Sequence, residues 1–99
     1  MKNSFSSILN TEIPVLIDFY ATWCGPCKTL GPILDNLKKE LGDSIKIIKI
    51  DVDKNQPLAQ INNVKGVPTL LLFKKGKQVW RQSGVVSKKD LIQVINSNK

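Results

Sequence analysis

The 99-residue chain contains no histidine and only two cysteines, Cys24 and Cys27. Without histidine it cannot hold the Cys–His pair of a cysteine hydrolase. A structural zinc site normally needs four cysteine or histidine ligands, and the chain offers too few. Covalent haem attachment requires histidine directly after the second cysteine, and Lys28 stands there. These absences exclude three common roles of cysteine residues.

The sequence also has no apolar run of about 18 residues or more, the length that spans a bilayer. Near the N-terminus the apolar residues are interrupted by Asn10, Glu12 and Asp18, so no segment there resembles a secretory signal peptide. Two closely spaced cysteines do not form the disulfide framework of a small secreted protein either. We therefore expect a protein that lies in the cytoplasm and does not associate with a membrane.

Acidic residues are few: eight, against 15 lysines and arginines, which gives a net charge of +7. A basic chain is a candidate for nucleic-acid binding. However, the lysines are spread mostly singly or in pairs, Arg81 is the one arginine, and no aromatic ladder accompanies them. We interpret the charge as a lysine-rich surface and expect no nucleic-acid binding. A modest preference for acidic partner proteins is a hypothesis that follows from the same charge.

The cysteines lie in the stretch 21–27, between two strongly patterned segments. Residues 15–20 are apolar and β-prone except for Asp18, and residues 28–41 have the spacing of an amphipathic helix. A near-continuous apolar strand predicts a sheet covered on both faces, as in a parallel sheet. With 41% hydrophobic residues in a chain of 99, we expect one domain, residues 1–99.

The spacing of the two cysteines favours a disulfide that opens and closes. Residues three apart on a helix have Cβ atoms about 5–6 Å apart, and a disulfide needs about 3.5–4.5 Å. A small adjustment in the first helical turn therefore joins Cys24 to Cys27. Such a short ring restrains the unfolded chain very little, so the pair is better suited to redox chemistry than to stapling the fold.

The helix end predicts different roles for the two sulfurs. Cys24 falls at the helix N-terminus, where unpaired N–H groups and the positive end of the dipole stabilise a thiolate. Cys24 is therefore the expected nucleophile, and Cys27, one turn later, is the thiol that resolves the mixed disulfide. Pro26 suits the first helical turn, and Gly25 has no side chain to block a docking substrate.

The six residues Trp23–Lys28, WCGPCK, resemble the active-site motif of the thioredoxin family. The likeness extends over nearly the whole chain, through five further motifs in the family's order: residues 18–21, 32–34, 51–53, 66–70 and 73–76. It implies an α/β fold, a thioredoxin-like three-layer α/β/α sandwich around a central mixed sheet. The chain starts where the family's first helix starts. We therefore expect the usual first strand to be missing, a four-stranded sheet, and residues 45–50 at its edge.

The resemblance also gives roles to a buried acid and a lysine. A carboxylate within a covered strand is unfavourable, and burial should raise the pKa of Asp18. The residues alone are equally compatible with a satisfied or edge aspartate. In the family the matching aspartate deprotonates the second cysteine, here Cys27, and a lysine matching Lys49 approaches that aspartate. We therefore expect Lys49 to pair with Asp18 and to tune it.

For substrate docking, the resemblance implies a groove beside the cysteines. The family has a cis-proline that faces the cysteine pair, so we expect a cis Val67–Pro68 bond. The residues alone favour an ordinary proline at the start of a strand, with the default trans bond. A cis bond would expose the backbone of Val67 for strand-like pairing with a substrate peptide. The expected substrate-binding residues are Trp23, Val67, Pro68, Thr69 and Gly84.

The remaining pattern predicts the other elements. We expect short helices over residues 3–10 and 55–62, strands over 45–50, 70–73 and 78–83, and a hairpin over 74–77. A final helix should be capped by Ser87. Pro32 should kink the helix that follows the cysteines, and Gly42 should end it.

These features imply a thiol–disulfide oxidoreductase, a protein-disulfide reductase with a place in electron transport and cell redox homeostasis. We expect no bound cofactor, a monomer, disulfide-containing target proteins, and re-reduction by a flavin- and NADPH-dependent thioredoxin reductase. The Gly25-Pro26 dipeptide tunes redox potential in the family and favours a reductant near the family value of about −270 mV. A disulfide oxidase or isomerase on the same fold stays open as an alternative, as does a redox-dependent binding subunit.

Overall fold

A computed structural model describes residues 4–99 of the chain. Within that range it contains four strands, four α-helices and a short 3-10 turn at Gly42–Ser44. In chain order the helices and strands are α1 (Ser4–Leu9), β1 (Val15–Tyr20), α2 (Gly25–Leu41), β2 (Lys46–Asp51), α3 (Gln56–Ile61), β3 (Thr69–Lys74), β4 (Lys77–Ser83) and α4 (Lys88–Ser97). Every predicted element is present, with small shifts at its ends. The predicted start of the first helix at Asn3 lies outside the described residues.

Among the described residues, one mixed sheet carries the strands in the order β2-β1-β3-β4. β1 and β2 run parallel, whereas β3 is antiparallel to both β1 and β4. The four-stranded sheet is confirmed, and so is the position of β2 at its edge. Lys46 and Lys49 are exposed on that edge strand, where charged side chains discourage pairing with another chain.

Helices cover both faces of the sheet and create two apolar cores. Alternate strand residues point to opposite faces. The core on the α2 and α4 face contains Leu16, Leu30, Leu34, Leu37, Ile45, Leu70, Leu72, Val86, Leu91 and Ile95. The core on the α1 and α3 face contains Leu9, Val15, Ile17, Phe19, Ile50, Ala59, Leu71 and Phe73. This is the predicted three-layer sandwich, and β1 is buried between the two helical layers because both of its faces are apolar.

The helix α2 follows the cysteine loop and runs for 17 residues. Pro32 lies inside it and does not end it. Gly42 ends it as predicted, with a positive φ of 56° that suits glycine. Lys38 helps to close this end, since its Nζ donates to the carbonyl oxygens of Gly42 at 2.8 Å and Ile45 at 2.6 Å.

The C-terminal third of the chain contributes the strands β3 and β4 and the helix α4, which packs on the same face of the sheet as α2. A two-residue turn at Lys75 and Gly76 joins β3 to β4, as the hairpin prediction required. Ser87 caps α4, because its side chain accepts a hydrogen bond from the Asp90 N–H at 3.1 Å. Over residues 4–99, none of the helices is long and apolar enough to cross a membrane.

Candidate active site at the start of helix α2

The two cysteines form a disulfide at the junction of β1 and α2. Cys24 is the N-cap residue of α2, and its Sγ accepts a hydrogen bond from the backbone N–H of Cys27 at 3.1 Å. An N-cap side chain normally satisfies one of the unpaired N–H groups of the first turn. In the reduced protein a Cys24 thiolate would occupy the same place. The site therefore supplies an anion-stabilising donor to the sulfur expected to be the nucleophile.

Burial does not separate the two sulfurs, since Cys24 is 4% exposed and Cys27 is 7% exposed. Their positions on the helix do separate them. Cys24 lies outside the first turn and faces its amides, while Cys27 belongs to the first turn. The dipole acts most strongly on a charge at the end of the helix, so it favours a thiolate on Cys24.

Asp18 is buried in the middle of β1 and is only 3% exposed. Two residues earlier in the strand, Leu16 packs into the core on the α2 face, so Asp18 lies on the sheet face that α2 covers. Its Oδ1 atom has no hydrogen-bond partner among the described residues. Burial raises the pKa of Asp18 to about 6, and the positive charge of Lys49 opposes that rise.

Lys49 does not form the predicted ion pair with Asp18, and this expectation was wrong. Lys49 lies opposite Asp18 in the parallel register of β1 and β2. Its Nζ is instead 3.6 Å from Oδ1 of Asp35 on α2. Both partners of that ion pair are largely exposed, at 44% and 66%, and an ammonium group keeps more of its hydration there than beside a buried carboxylate. Lys49 thus acts on Asp18 only through its field.

The Val67–Pro68 bond is cis, as expected from the resemblance. The carbonyl oxygen of Val67 lies 3.7 Å from the Sγ of Cys24, so this loop borders the disulfide. The loop is tied to the end of β4, because the Gly84 N–H donates to the Pro68 carbonyl oxygen at 2.9 Å. Gly84 has a φ of 94°, which favours glycine at this turn. The structure therefore places Val67 beside Cys24 and joins the next residue, Pro68, to Gly84.

Thr69 directly follows this loop as the first residue of β3 and is 1% exposed. Its hydroxyl donates to the Gly66 carbonyl oxygen at 2.8 Å and lies 3.0 Å from the Ser83 hydroxyl. With its side chain committed inside the fold, Thr69 can hold the loop in place but offers little surface to a substrate.

Trp23 directly precedes Cys24 in the chain and is 69% exposed. Its indole Nε1 donates to Oδ2 of Asp53 at 2.8 Å, and the Asp53 N–H donates to Oδ1 of Asp51 at 2.9 Å. An exposed tryptophan anchored by its polar end presents a fixed apolar surface. The sequence did not reveal this role for Asp53, because the two residues lie 30 positions apart along the chain.

A pocket of about 170 Å³ is lined by Trp23, which precedes Cys24 in the chain, and by Val67, whose carbonyl oxygen borders the Cys24 Sγ. Its lining combines apolar side chains, backbone and one lysine: Trp23, Val52, Val64, Lys65, Gly66 and Val67. Val52, Val64, Lys65 and Gly66 were not predicted as site residues. Val52 and Gly66 lie in motifs that resemble the family, but nothing in the sequence marks any of the four as part of a pocket, because only the fold brings these positions to the cysteine loop.

A model of the thioredoxin family matches residues 1–97, which is nearly the whole chain. The chain belongs to the thioredoxin family. The match includes the cysteine pair and the loop of the cis-proline, and it confirms the resemblance seen in the sequence.

Curated thioredoxins cover most of this chain. It is 41% identical to the thioredoxin of Rickettsia typhi over 93 residues, which are 94% of this chain and 89% of that protein. It is 44% identical to the thioredoxin of Haemophilus influenzae over 93 residues, which are 94% of this chain and 87% of that protein. Among solved structures, a mutant thioredoxin from Halobacterium salinarum NRC-1 matches with a TM-score of 0.86 and 39% identity, covering 98% of this chain and 84% of that one.

Thioredoxins reduce protein disulfides through a cysteine pair with this spacing, and the pair is present here. The chain is therefore a thiol–disulfide oxidoreductase of the protein-disulfide reductase class. The described part of the chain has no cluster of three or more histidine, cysteine or acidic residues that could hold a metal ion.

Proposed function

We propose that the chain reduces disulfides of other proteins with Cys24 as the attacking thiolate and Cys27 as the resolving thiol. The observation that carries this proposal is the hydrogen bond from the Cys27 N–H to the Sγ of Cys24 at the N-cap of α2. A sulfur in that position is stabilised as an anion by the first turn of the helix. Gly25 and Pro26 complete the turn. Gly25 has no side chain and Pro26 has a rigid backbone, and together they set the redox potential of the Cys24–Cys27 pair.

The cycle begins with both cysteines reduced. The Cys24 thiolate attacks one sulfur of a target disulfide, forms a mixed disulfide and releases the first target sulfur as a thiolate. Cys27 then loses its proton and attacks the Sγ of Cys24, which releases the second target thiolate. Two electrons have passed to the target, and the Cys24–Cys27 disulfide is the oxidised state of the structure.

Asp18 is the proposed acceptor of the Cys27 proton. A carboxylate whose pKa is raised to about 6 by burial is still ionised at neutral pH, and it is a stronger base than an exposed aspartate. Lys49 counteracts part of the effect of burial, since its charge favours the ionised form of Asp18. Lys49 is thus proposed to tune Asp18 from a distance.

The target is proposed to dock across the loop of the cis-proline. The backbone of Val67 pairs with an extended target segment, while Pro68 and Gly84 shape the groove beside Cys24. The exposed indole of Trp23 covers the opposite side of the target segment. Thr69 contributes by holding the loop rather than by direct contact.

The donor of electrons is proposed to be a thioredoxin reductase that draws on NADPH through a flavin, with no cofactor bound to this chain. We further propose that the chain forms one domain and acts as a monomer. Its proposed location is the cytoplasm, a compartment that keeps dithiols reduced. The resemblance to the family supports these assignments together with the close cysteine spacing.

The direct test is reduction of insulin disulfides with dithiothreitol as electron donor, followed as precipitation of the insulin B chain. The wild-type chain should accelerate the reaction, and Cys24→Ser should abolish the acceleration. A measured potential near about −270 mV would identify a reductant, whereas one between about −120 and −180 mV would identify an oxidase or isomerase. Unchanged acceleration by Cys24→Ser would contradict the proposed nucleophile.

A further inference from the structure

Arg81, the one arginine in the sequence, forms two hydrogen bonds across the surface of the fold. Its Nη1 donates to the carbonyl oxygen of Asn62 at 2.7 Å, and its Nη2 donates to the carbonyl oxygen of Asn63. The guanidinium fork thus bridges two successive carbonyl groups. Lysine cannot reproduce this arrangement, because its ammonium group is a single point of charge.

The position of Arg81 on β4 explains this reach. Arg81 lies opposite Leu71 in the register of β3 and β4, and Leu71 packs into the core on the α1 and α3 face. Directly opposite residues on neighbouring strands point to the same face. The Arg81 side chain therefore extends toward the C-terminal end of α3, where Asn62 and Asn63 follow Ile61.

The two carbonyl groups belong to the turn that leads into the docking groove. Asn63 has a φ of 55°, a conformation that is unusual for a residue other than glycine. The next four residues, 64–67, form one wall of the pocket beside Trp23, and Val67 borders the Sγ of Cys24. A change in the turn at Asn62–Asn63 would therefore displace the wall.

The far end of the same wall is also tied to β4. The Gly84 N–H donates to the Pro68 carbonyl oxygen, and the Ser83 hydroxyl lies 3.0 Å from the Thr69 hydroxyl. Residues 64–67 are thus a short segment whose flanking residues are held on both sides. Arg81 of β4 holds the turn before it, and Ser83 of β4 and the next residue, Gly84, hold Thr69 and Pro68 after it.

We propose that Arg81 is a positioning residue for protein substrates: its bridge to the Asn62 and Asn63 carbonyl groups holds residues 64–67 as a fixed wall of the docking groove. This rests on the proposed function. Arg81 does not touch the reacting sulfurs, so it governs how well an extended target binds and not how fast the bound disulfide exchanges. The rate at which a disulfide too small to span the groove is reduced does not depend on Arg81.

The test uses single-turnover reactions of the reduced 99-residue chain with two probes, insulin and bis(2-hydroxyethyl) disulfide. For Arg81→Ala, the half-saturating insulin concentration should rise about threefold or more, while the maximal rate at saturation and the rate with the small disulfide stay within about twofold of the wild type. The backbone amides of residues 64–67 should also exchange hydrogen faster than in the wild type.

Two matched variants separate the bridge from charge. Arg81→Lys keeps the charge but loses the fork, and it should resemble Arg81→Ala. Lys77→Ala removes one positive charge at the far end of the same strand and should resemble the wild type. Wild-type insulin binding in Arg81→Lys, or an equal slowing of both probes by Arg81→Ala, would overturn the proposal. Failure of the wild-type chain to reduce insulin at all would instead refute the proposed function.

Discussion

Asp18 is a buried carboxylate whose environment suits the transfer of a proton. The strand around it is apolar on both faces, and its Oδ1 has no hydrogen-bond partner among the described residues. Burial therefore raises its pKa to about 6, against the opposing charge of Lys49. An ionised Asp18 without a hydrogen-bond partner on Oδ1 lowers the stability of the fold at neutral pH. Accepting a proton from Cys27 is a function that would explain why a carboxylate lies there.

The Asp18 carboxylate should make the free energy of unfolding depend on pH. Between pH 4 and pH 6 the folded protein holds a proton on Asp18 that the unfolded chain has lost, so stability falls as pH rises through this window. Relative to Asp18→Asn, the oxidised wild-type protein should lose about 3 kcal/mol of unfolding free energy between pH 3.5 and pH 8. Urea unfolding measures the difference at each pH. Asp43→Asn, at an exposed site, is the control and should show little change.

The difference between the two cysteines is also a property of single residues. In Cys27→Ser the first attack by Cys24 should still occur, but no neighbouring thiol remains to release the target. The variant should therefore accumulate a covalent complex with insulin, visible on a non-reducing gel and lost on adding dithiothreitol. In Cys24→Ser no such complex should form. A stable adduct through Cys27 in that variant would reverse the assigned roles.

Among the elements, the helices follow from local sequence signals. The cap at Ser87, the glycine at Gly42 and the apolar spacing of α2 each act within a few residues, which is why the sequence predicted them. The cysteine pair and its helix end were predictable for the same reason. The edge position of β2 came instead from the family resemblance.

Contacts between distant segments could not be predicted from the sequence. The Trp23–Asp53 hydrogen bond and the Arg81 bridge depend on how the loops meet, and no periodicity encodes them. The ion pair of Lys49 with Asp18 was expected from the family resemblance and was wrong. The register does place Lys49 opposite Asp18, but its long, flexible side chain reaches the exposed Asp35 instead.

The cap of α4 offers a test at the scale of an element. Ser87→Ala removes the acceptor for the Asp90 N–H, and loss of such a cap lowers stability by about 0.5–2 kcal/mol. Urea unfolding should show this decrease, with the rate of insulin reduction unchanged. Ser97→Ala, at the C-terminal end of the same helix, is the matched control. Equal effects of the two changes would show that the cap contributes nothing.

For the whole molecule, the net charge of +7 is the property that acts beyond the site. Lysines are distributed over the surface rather than gathered in one cluster, so their summed field favours the approach of acidic partners. The mixed sheet with helices on both faces leaves β2 and β4 as its edges. Exposed lysines such as those of β2 disfavour pairing of a sheet edge with another chain.

Salt should therefore affect some substrates more than others. Raising the ionic strength from about 0.02 M to about 0.5 M shortens the screening length several-fold. The second-order rate of reduction should fall for an acidic protein disulfide and stay constant or rise for a basic one. Stopped-flow mixing of the reduced chain with the two substrates measures both rates. Identical salt dependence for the two would show that the charge does not select partners.

The proposed chemistry requires that the first turn of α2 holds Cys24 as a thiolate in the reduced protein. The most direct measurement is the rate at which iodoacetamide alkylates Cys24 in the reduced protein as a function of pH, with Cys27→Ser used to assign the site. We expect half-maximal reactivity clearly below about pH 8.5, the pKa of free cysteine. Half-maximal reactivity at or above that pH would contradict it.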